Sequence, residues 1–206
     1  MADETPSIQF CFDYISPYSY LAATQVRTLA ERLDIPVTWQ PLNLPRLIKL
    51  SGNLPPSTIR NKARYLLRDL KQMAAHLNVP FHMILPGAFD SRPAIAATQA
   101  LNGADREEMA RAVFDGLWAD GIDYRREDWL AALLAAKGLP ADRVLDADAY
   151  SQQMQAINDA TAAAYKTGAF GVPTFFLQGM GRRQLFWGVD RMNYLERVVA
   201  QIRAGQ

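Results

Sequence analysis

The sequence predicts an α/β protein in which an all-helical segment interrupts a small sheet. Helical periodicity fills the middle of the chain, from about Leu54 to Lys166, whereas strand patterns occur only towards its two ends. Neither end alone forms a closed sheet with both faces covered, so one interrupted sheet is favoured over two separate domains. The strand patterns cover residues 8–12, 37–42, 172–178 and 184–187.

The first strand pattern runs directly into a helix. Ile8, Phe10 and Phe12 alternate with Gln9, Cys11 and Asp13, which is typical of a short strand with one apolar face. Ser16 suits the N-cap of the following helix, and Pro17 suits its first position. Ile35-Pro36 ends that helix before the second strand, Val37 to Leu42. A strand, a helix and a strand in this order predict a right-handed unit with parallel strands.

The middle of the chain contains five candidate helices, with glycines at several of their ends, as helix C-caps prefer. After them, Gly179 to Arg183 has the composition of a hairpin connection between two strands. Asp190 is then expected to cap a last helix, Arg191 to Arg203. The five candidate helices are residues 58–77, 92–101, 106–120, 127–137 and 149–167.

This order of elements predicts a thioredoxin-like fold with an all-α helical insertion domain. Residues 1–53 and 167–206 would form the discontinuous thioredoxin-like domain, and 54–166 the insertion. In a thioredoxin-like redox site, a Cys-x-x-Cys motif opens the first helix and a cis-proline faces it. Here Ser16 and Ser19 occupy the two cysteine positions. The site therefore lacks its own thiols, and we expect it to handle a thiol that a ligand supplies.

Composition narrows the class of protein further. The 206 residues carry a net charge of only +1, so no nucleic-acid or membrane partner is expected. Cys11 is the sole cysteine, which rules out an intramolecular disulfide and suits a reducing cytoplasm. The acidic, polar start of the sequence does not resemble a secretory signal.

Ser16 is the candidate catalytic residue. At a helix N-terminus it lies among unpaired backbone N–H groups, near the positive end of the helix dipole, where a thiolate is stabilised. Ser16 would donate its hydroxyl proton to the ligand sulfur and would not itself act as the nucleophile. An ordinary N-cap serine is the alternative.

Val172-Pro173, at the start of the third strand, is the second part of the thiol site. A cis peptide bond here would expose the backbone N–H and C=O of Val172 to a bound peptide. The alternative is a trans proline at the first position of a strand, which is common.

Five segments together resemble kappa-class glutathione transferases and, equally, bacterial 2-hydroxychromene-2-carboxylate isomerases, which share that fold. Each motif is weak alone, but their order is specific and the set spans nearly the whole chain. The segments are FDYISPYSYLA (12–22), SGNLPP (51–56), the run from Lys62 to Leu70, GAFGVP (168–173) and FWGVDRM (186–192).

The resemblance implies glutathione as the cofactor. Ser16 would face its sulfur, and the backbone of Val172, before Pro173, would pair with its cysteinyl unit. Asp190, beside Val189, would bind the γ-glutamyl ammonium, and Asn53 would hold the other end of the peptide. Asp190 as a simple N-cap and Asn53 as a simple turn residue are the alternatives. A homodimer is expected from the resemblance alone.

The candidate substrate-binding residues are Lys62, Tyr65, Arg92 and Trp187. Lys62 and Tyr65 lie at helical spacing from Asp69, and Lys62 could meet a carboxylate of glutathione or of an acidic aromatic substrate, although most such basic runs are solvated faces. Arg92 is a further candidate cation, and Trp187 could line an aromatic pocket. His76, His82 and the other tryptophans are interpreted as structural.

The motifs are compatible with two different reactions of the thiol of bound glutathione. The isomerase would interconvert a chromene carboxylate and a trans-benzylidenepyruvate in aromatic catabolism, by reversible addition of the thiolate. The transferase would leave the thiol attached to an electrophile. The isomerase is favoured here, and a non-catalytic binding module is a third possibility. A dithiol oxidoreductase is disfavoured because Ser16 and Ser19 cannot form a disulfide.

Overall fold

A four-stranded mixed sheet forms the centre of the molecule. The computed structural model of the chain describes residues 5–85, 87–179 and 181–204. The strand order is β2-β1-β3-β4; β1 and β2 are parallel, whereas β3 is antiparallel to both of its neighbours. The predicted strand–helix–strand unit and hairpin are therefore confirmed. The strands are β1 (Ser7–Phe12), β2 (Val37–Pro41), β3 (Thr174–Gly179) and β4 (Arg182–Trp187).

Helices flank the sheet, and most of them were predicted. Helices α2 and α7 were not, because each is short and lies between stronger patterns. After α5 the chain continues as a π-helical turn, Asp115–Ala119. The helices are α1 (Pro17–Leu33), α2 (Leu44–Ser51), α3 (Arg60–Leu77), α4 (Arg92–Gln99), α5 (Gly103–Phe114), α6 (Trp129–Ala136), α7 (Ala141–Val144), α8 (Ala147–Lys166) and α9 (Met192–Arg203).

Both faces of the sheet are covered by apolar side chains. On one face, Phe10 and Phe12 join a large core that continues through Phe114 and Trp118 into the helical block. On the other face, Cys11 and Phe176 pack beneath α2 and α8 in a smaller cluster. Cys11 lies within its strand, as expected, and is buried, because a sheet covered on both sides buries both faces of a central strand.

Local chemistry explains how α1 begins and ends. The Ser16 side chain caps its first turn and Pro17 follows, as predicted. Asp34 closes the helix in the left-handed conformation, with φ of 49°. The N-terminal end of α1 is thus fixed directly after β1, at the edge where β3 also begins.

The last helix starts later than predicted. Val189–Arg191 form a 3-10 turn, and α9 begins at Met192 with Arg191 in the cap position. No side-chain hydrogen bond caps either element. The prediction that Asp190 caps this helix is therefore wrong, because the tight turn places its carboxylate before the helix and leaves it exposed.

Three remaining expectations concern the hairpin connection, membrane-spanning helices and the domain boundaries. The predicted hairpin connection includes Met180, which lies outside the described residues, while Gly179 pairs with Arg182 on either side of it. Within residues 5–85, 87–179 and 181–204, none of the helices combines the length and hydropathy needed to cross a membrane. The domain boundaries at 53/54 and 166/167 stay predictions.

Candidate active site

The N-terminal end of α1 forms the centre of the candidate site. Ser16 is 5% exposed, and its Oγ accepts the backbone N–H of Ser19 at 3.1 Å. The same hydroxyl donates to the carbonyl oxygen of Val172 at 3.4 Å, across 156 residues of sequence. This second bond is long, so the hydroxyl proton is only loosely engaged and can turn to another acceptor.

The Val172–Pro173 peptide bond is cis, as predicted, and it lies opposite Ser16. The Thr174 hydroxyl donates to the Gly171 carbonyl at 2.7 Å, which fixes the loop just before the proline. The Pro173 carbonyl accepts the backbone N–H of Gly188 at 3.0 Å. The proline loop and the turn after β4 are therefore held together beside the end of α1.

No thiol of the chain reaches this site. Ser19, at the second cysteine position, is fully buried, and its hydroxyl has no hydrogen-bond partner among the described residues. Cys11 is 1% exposed within β1, and burial raises its pKa to about 12. A thiol that remains protonated and inaccessible is not a nucleophile.

Asn53 closes one side of the site. Its side-chain amide donates to the carbonyl oxygen of Phe170 at 3.1 Å, and the Ser51 hydroxyl approaches the same oxygen at 3.5 Å. Gly52, with φ of 69°, is the residue that ends α2, so Asn53 is not itself the left-handed turn residue. The end of α2 thereby holds the loop that leads into Pro173.

Asp190 and Val189 lie in the turn that follows β4. Val189 is buried, whereas the Asp190 side chain is 58% exposed, 3.7 Å from the guanidinium of Arg191. The Asp190 charge is also close enough to contribute to the raised pKa of Tyr18 in the first turn of α1. An exposed carboxylate therefore stands beside the Ser16 end of the helix.

Trp187 and Phe170 form an exposed aromatic pair beside the proline loop. Their ring centroids are 4.8 Å apart, and the side chains are 46% and 38% exposed. The indole nitrogen of Trp187 lies over Gly171, where an added Cβ would approach it to 2.9 Å. Trp187 is thus next to the proline loop and not in the core, unlike the buried Trp39 and Trp118.

Tyr65 belongs to a polar cluster that joins α3 to α1. Its hydroxyl donates to Asp69 at 3.0 Å, and the Tyr18 hydroxyl donates to the same carboxylate at 2.7 Å. Lys62 lies on the same face of α3, one turn before Tyr65, and is exposed. The structure therefore joins Tyr65 to the Ser16 end of α1 through Asp69, and Lys62 lies one turn away from Tyr65 on the same helix.

Arg92 is engaged elsewhere. Its guanidinium pairs with Asp90 at 2.6 Å, and it stands at the start of α4. No hydrogen bond of the described residues joins Arg92 to Ser16, Asn53 or Asp190. Of the four residues predicted to bind substrate, it is the one that the structure does not connect to the cluster around α1.

Comparison with protein-family models identifies the family of this fold. The chain matches the model of the DSBA-like thioredoxin domain over residues 7–200. It belongs to that family. Its β2-β1-β3-β4 sheet, the helices between β2 and β3, and the cis-proline opposite the end of α1 are the frame of this DSBA-like thioredoxin domain.

Similar proteins carry two names. A 2-hydroxychromene-2-carboxylate isomerase of Sphingobium xenophagum is 31% identical over 93% of this chain and 97% of its own length. Human glutathione S-transferase kappa 1 is 24% identical over 95% of this chain and 91% of its own. A solved structure of a 2-hydroxychromene-2-carboxylate isomerase superposes with a TM-score of 0.82 at 26% identity, covering 95% of each chain.

Sequence reasoning missed one buried carboxylate in this DSBA-like domain. Asp13 is fully buried at the end of β1, three residues before Ser16, and accepts the backbone N–H groups of Ile15 and Leu44. Burial raises its pKa from 3.8 to about 6, although hydrogen bonds, first that from the Ser91 hydroxyl, oppose the rise. A charged residue between an apolar strand and an N-cap was the available signal.

Tyr18, Asp69 and Phe170 were given no role in the site, although each lies in a segment that carries the family resemblance. Tyr18 and Asp69 interact over 51 positions, and Phe170 meets Trp187 only after β4 has folded back. Helical spacing did place Tyr65 near Asp69, but only the fold shows which helix they face.

Proposed function

We propose that this protein is a glutathione-dependent isomerase of the 2-hydroxychromene-2-carboxylate type. It would interconvert a chromene carboxylate and a trans-benzylidenepyruvate in aromatic catabolism. The similarity to isomerases at 31% identity over nearly the full chain supports the reaction class. The homodimer expected from the family resemblance and the cytoplasmic location expected from the single cysteine belong to the same proposal.

One observation carries the proposal: a buried serine hydroxyl, not a thiol, faces the cis-proline loop at a helix N-terminus. The Ser16 hydroxyl oxygen accepts the Ser19 N–H, while its proton makes only a long hydrogen bond to the Val172 carbonyl. A sulfur placed between Ser16 and Val172 would receive that proton as a hydrogen bond. The donor set therefore fits a ligand thiol.

The interactions at this position would stabilise a bound thiolate enough to ionise it at neutral pH without a metal or a histidine. A free thiol has a pKa of about 8.5, and making it mostly thiolate at neutral pH takes about two pH units, or about 2.7 kcal/mol. A charge-assisted hydrogen bond from Ser16 supplies about 1.5–3 kcal/mol. The N-terminal end of α1 adds about 0.3–1 kcal/mol.

The other residues would bind the rest of the glutathione peptide. The backbone of Val172, before Pro173, would pair with its cysteinyl unit, because strand-like pairing needs an N–H and a C=O at one residue. The exposed carboxylate of Asp190, next to Val189, would bind the ammonium group. Asn53 would hold the other end of the peptide, from the side of α2.

The substrate would enter between α3 and the aromatic pair. Bound glutathione supplies a thiolate that adds reversibly to the conjugated substrate and so permits rotation about a former double bond. Trp187 would stack on the aromatic ring, and Lys62 beside Tyr65 would receive a carboxylate. Arg92 would bind the substrate only if its guanidinium first released the carboxylate of Asp90.

A kappa-class glutathione transferase is the second candidate. The similarity to human glutathione S-transferase kappa 1 over nearly the whole chain favours it. The same hydroxyl at Ser16 would serve both reactions, since each begins with an ionised thiol. A non-catalytic binding module would use the cleft without ionising the thiol, so the pKa of the bound thiol separates it from both enzymes.

The test combines binding and turnover. Glutathione affinity is measured by calorimetry, the thiol pKa of the complex by thiolate absorbance against pH, and turnover with a hydroxychromene carboxylate and with chlorodinitrobenzene. Ser16→Ala should raise the bound-thiol pKa by about one to two units and lower turnover at neutral pH by about 10- to 100-fold. Ser151→Ala, an exposed serine on α8, is the matched control.

Each outcome is decisive. Turnover of the chromene alone supports the isomerase, and turnover of chlorodinitrobenzene alone supports the transferase. An unshifted thiol pKa in the wild-type complex would support the binding module. A Ser16→Ala variant with unchanged turnover would show that Ser16 does not ionise the thiol.

A further inference from the structure

Asp69 accepts two phenol hydroxyls from two different helices. Its Oδ2 accepts Tyr18 of α1 at 2.7 Å, and its Oδ1 accepts Tyr65 of α3 at 3.0 Å. Tyr18 lies two residues after Ser16, in the first turn of the thiol-binding helix. One carboxylate therefore links the Ser16 end of α1 to the face of α3 that carries Lys62.

The two phenols are suited to this link. The hydrogen bond to Asp69 raises the pKa of Tyr65, and burial together with the Asp69 bond raises that of Tyr18. Both hydroxyls therefore remain protonated donors at neutral pH, and hydrogen bonds to an ionised acceptor are short and strong. The Arg68 guanidinium lies 5.9 Å from the centre of the Tyr65 ring and further restricts it.

Burial along α3 shows why such a link is needed. Leu70 and Ala74, in the second half of the helix, are buried in the main core. No residue from Arg60 to Asp69 is buried, although all ten are described by the structure. In this half of α3, Leu66 packs against the main core but is only partly buried, so apolar contacts anchor the half that carries Lys62 less firmly than the second half. Asp69 lies at the boundary between the two halves.

We propose that Asp69 is a positioning residue: through Tyr18 and Tyr65 it holds the first half of α3 against α1, and so sets where Lys62 stands relative to Ser16. This inference rests on the proposed function. Asp69 does not touch the thiol, and it acts through Lys62. Because Leu70 and Ala74 anchor the helix independently, removing the link should loosen the site and leave the fold intact.

The test is a double-mutant cycle between Asp69 and Lys62. Glutathione affinity is measured by calorimetry, and KM and kcat are measured for the substrate that the wild type accepts. Asp69→Ala should raise, by about tenfold, the same constant that Lys62→Ala raises, whether that is the glutathione Kd or the substrate KM. The double variant should be no worse than Lys62→Ala alone.

Two measurements distinguish a loss of Lys62 positioning from a general loosening of the site. The thiol pKa of bound glutathione should stay close to its wild-type value in Asp69→Ala, because the contacts of Ser16, to the Ser19 N–H and the Val172 carbonyl, do not involve Asp69. Tyr65→Phe, which removes one hydrogen bond from an exposed ring, should change the same constant as Asp69→Ala, in the same direction and by less. Tyr194→Phe is the matched control, since both tyrosines are 57% exposed.

Additive effects of Asp69→Ala and Lys62→Ala, or wild-type constants in both Asp69→Ala and Tyr65→Phe, would overturn the inference while glutathione still binds. If Asp69→Ala fails to fold, Tyr65→Phe and its cycle with Lys62→Ala carry the test. Failure of the wild type to bind glutathione would instead overturn the proposed function, which is a separate outcome of the same calorimetry.

Discussion

Asp13→Asn should change how stability depends on pH. Asp13 is fully buried between the end of β1 and the start of α2, and its two carboxylate oxygens accept N–H groups of Ile15 at 3.2 Å and Leu44 at 2.8 Å. Burial is the main cause that raises its pKa from 3.8 to about 6, and the nearby charge of Asp90 adds to the rise. Asparagine keeps the shape of the side chain and removes the titration.

The sign follows from proton linkage. At a pH between the unfolded and the folded pKa, the native protein binds a proton at Asp13 that the unfolded chain has released. The free energy of unfolding therefore falls as the pH rises through this window. The interval between 3.8 and about 6, at about 1.36 kcal/mol per pH unit, gives a loss of about 3 kcal/mol. Below the window this contribution is fully present, and above about pH 6 it is lost.

The assay is urea unfolding of the wild type and Asp13→Asn between about pH 4 and pH 8. The difference between the two free energies of unfolding cancels the other titrating groups. This difference should move by about 3 kcal/mol, in the direction of lower wild-type stability, as the pH rises. Asp159→Asn, an exposed carboxylate on α8, is the control. Parallel curves for wild type and Asp13→Asn would refute the linkage.

Two further substitutions test the surroundings of the site. Gly171→Ala should push the Trp187 indole away, since the new Cβ would approach its nitrogen to 2.9 Å. Because a half-exposed ring can move, the unfolding midpoint should change little, while KM for an aromatic substrate should rise severalfold. An unchanged KM would count against a stacking role for Trp187. Cys11, with a pKa raised to about 12, should resist thiol reagents in the native protein and react only after unfolding, and Cys11→Ala should keep turnover. Rapid native labelling would contradict its placement in the core.

Local chemistry made much of the fold predictable. Ser16 and Pro17 are read from capping preferences that need no tertiary structure, and the strand–helix–strand order implies parallel pairing. The helices that cover Cys11 could not be predicted, because alternation in one strand does not show which elements pack on its second face. Asp190 was wrongly predicted to cap α9, because a 3-10 turn and an N-cap favour similar residues.

The candidate site was only partly predictable, since it is assembled from distant segments. Ser16 meets Val172 across 156 positions and Asn53 meets Phe170 across 117, and neither contact leaves a local pattern. The resemblance implied glutathione-binding roles for Ser16, Val172 and Asn53, but it did not predict the contact between Asn53 and Phe170. Asp13 and Asp69 lie in the resembling segments, yet nothing local distinguishes them from surface acids. Their roles depend on what covers them, which only the folded chain shows.

The two halves of the site are held by different forces, and this bears on which reaction the protein performs. Ser16 and Pro173 lie on elements fixed by the sheet and its core, so the part of the site that we propose ionises the thiol is rigid and would serve both candidate reactions. Lys62 stands on the part of α3 without buried residues, and Trp187 is half exposed. Residues with few packing constraints can change without loss of the fold. If the proposed function holds, the choice between isomerase and transferase would lie in α3 and the aromatic pair, and variants at Ser16 alone would not decide it.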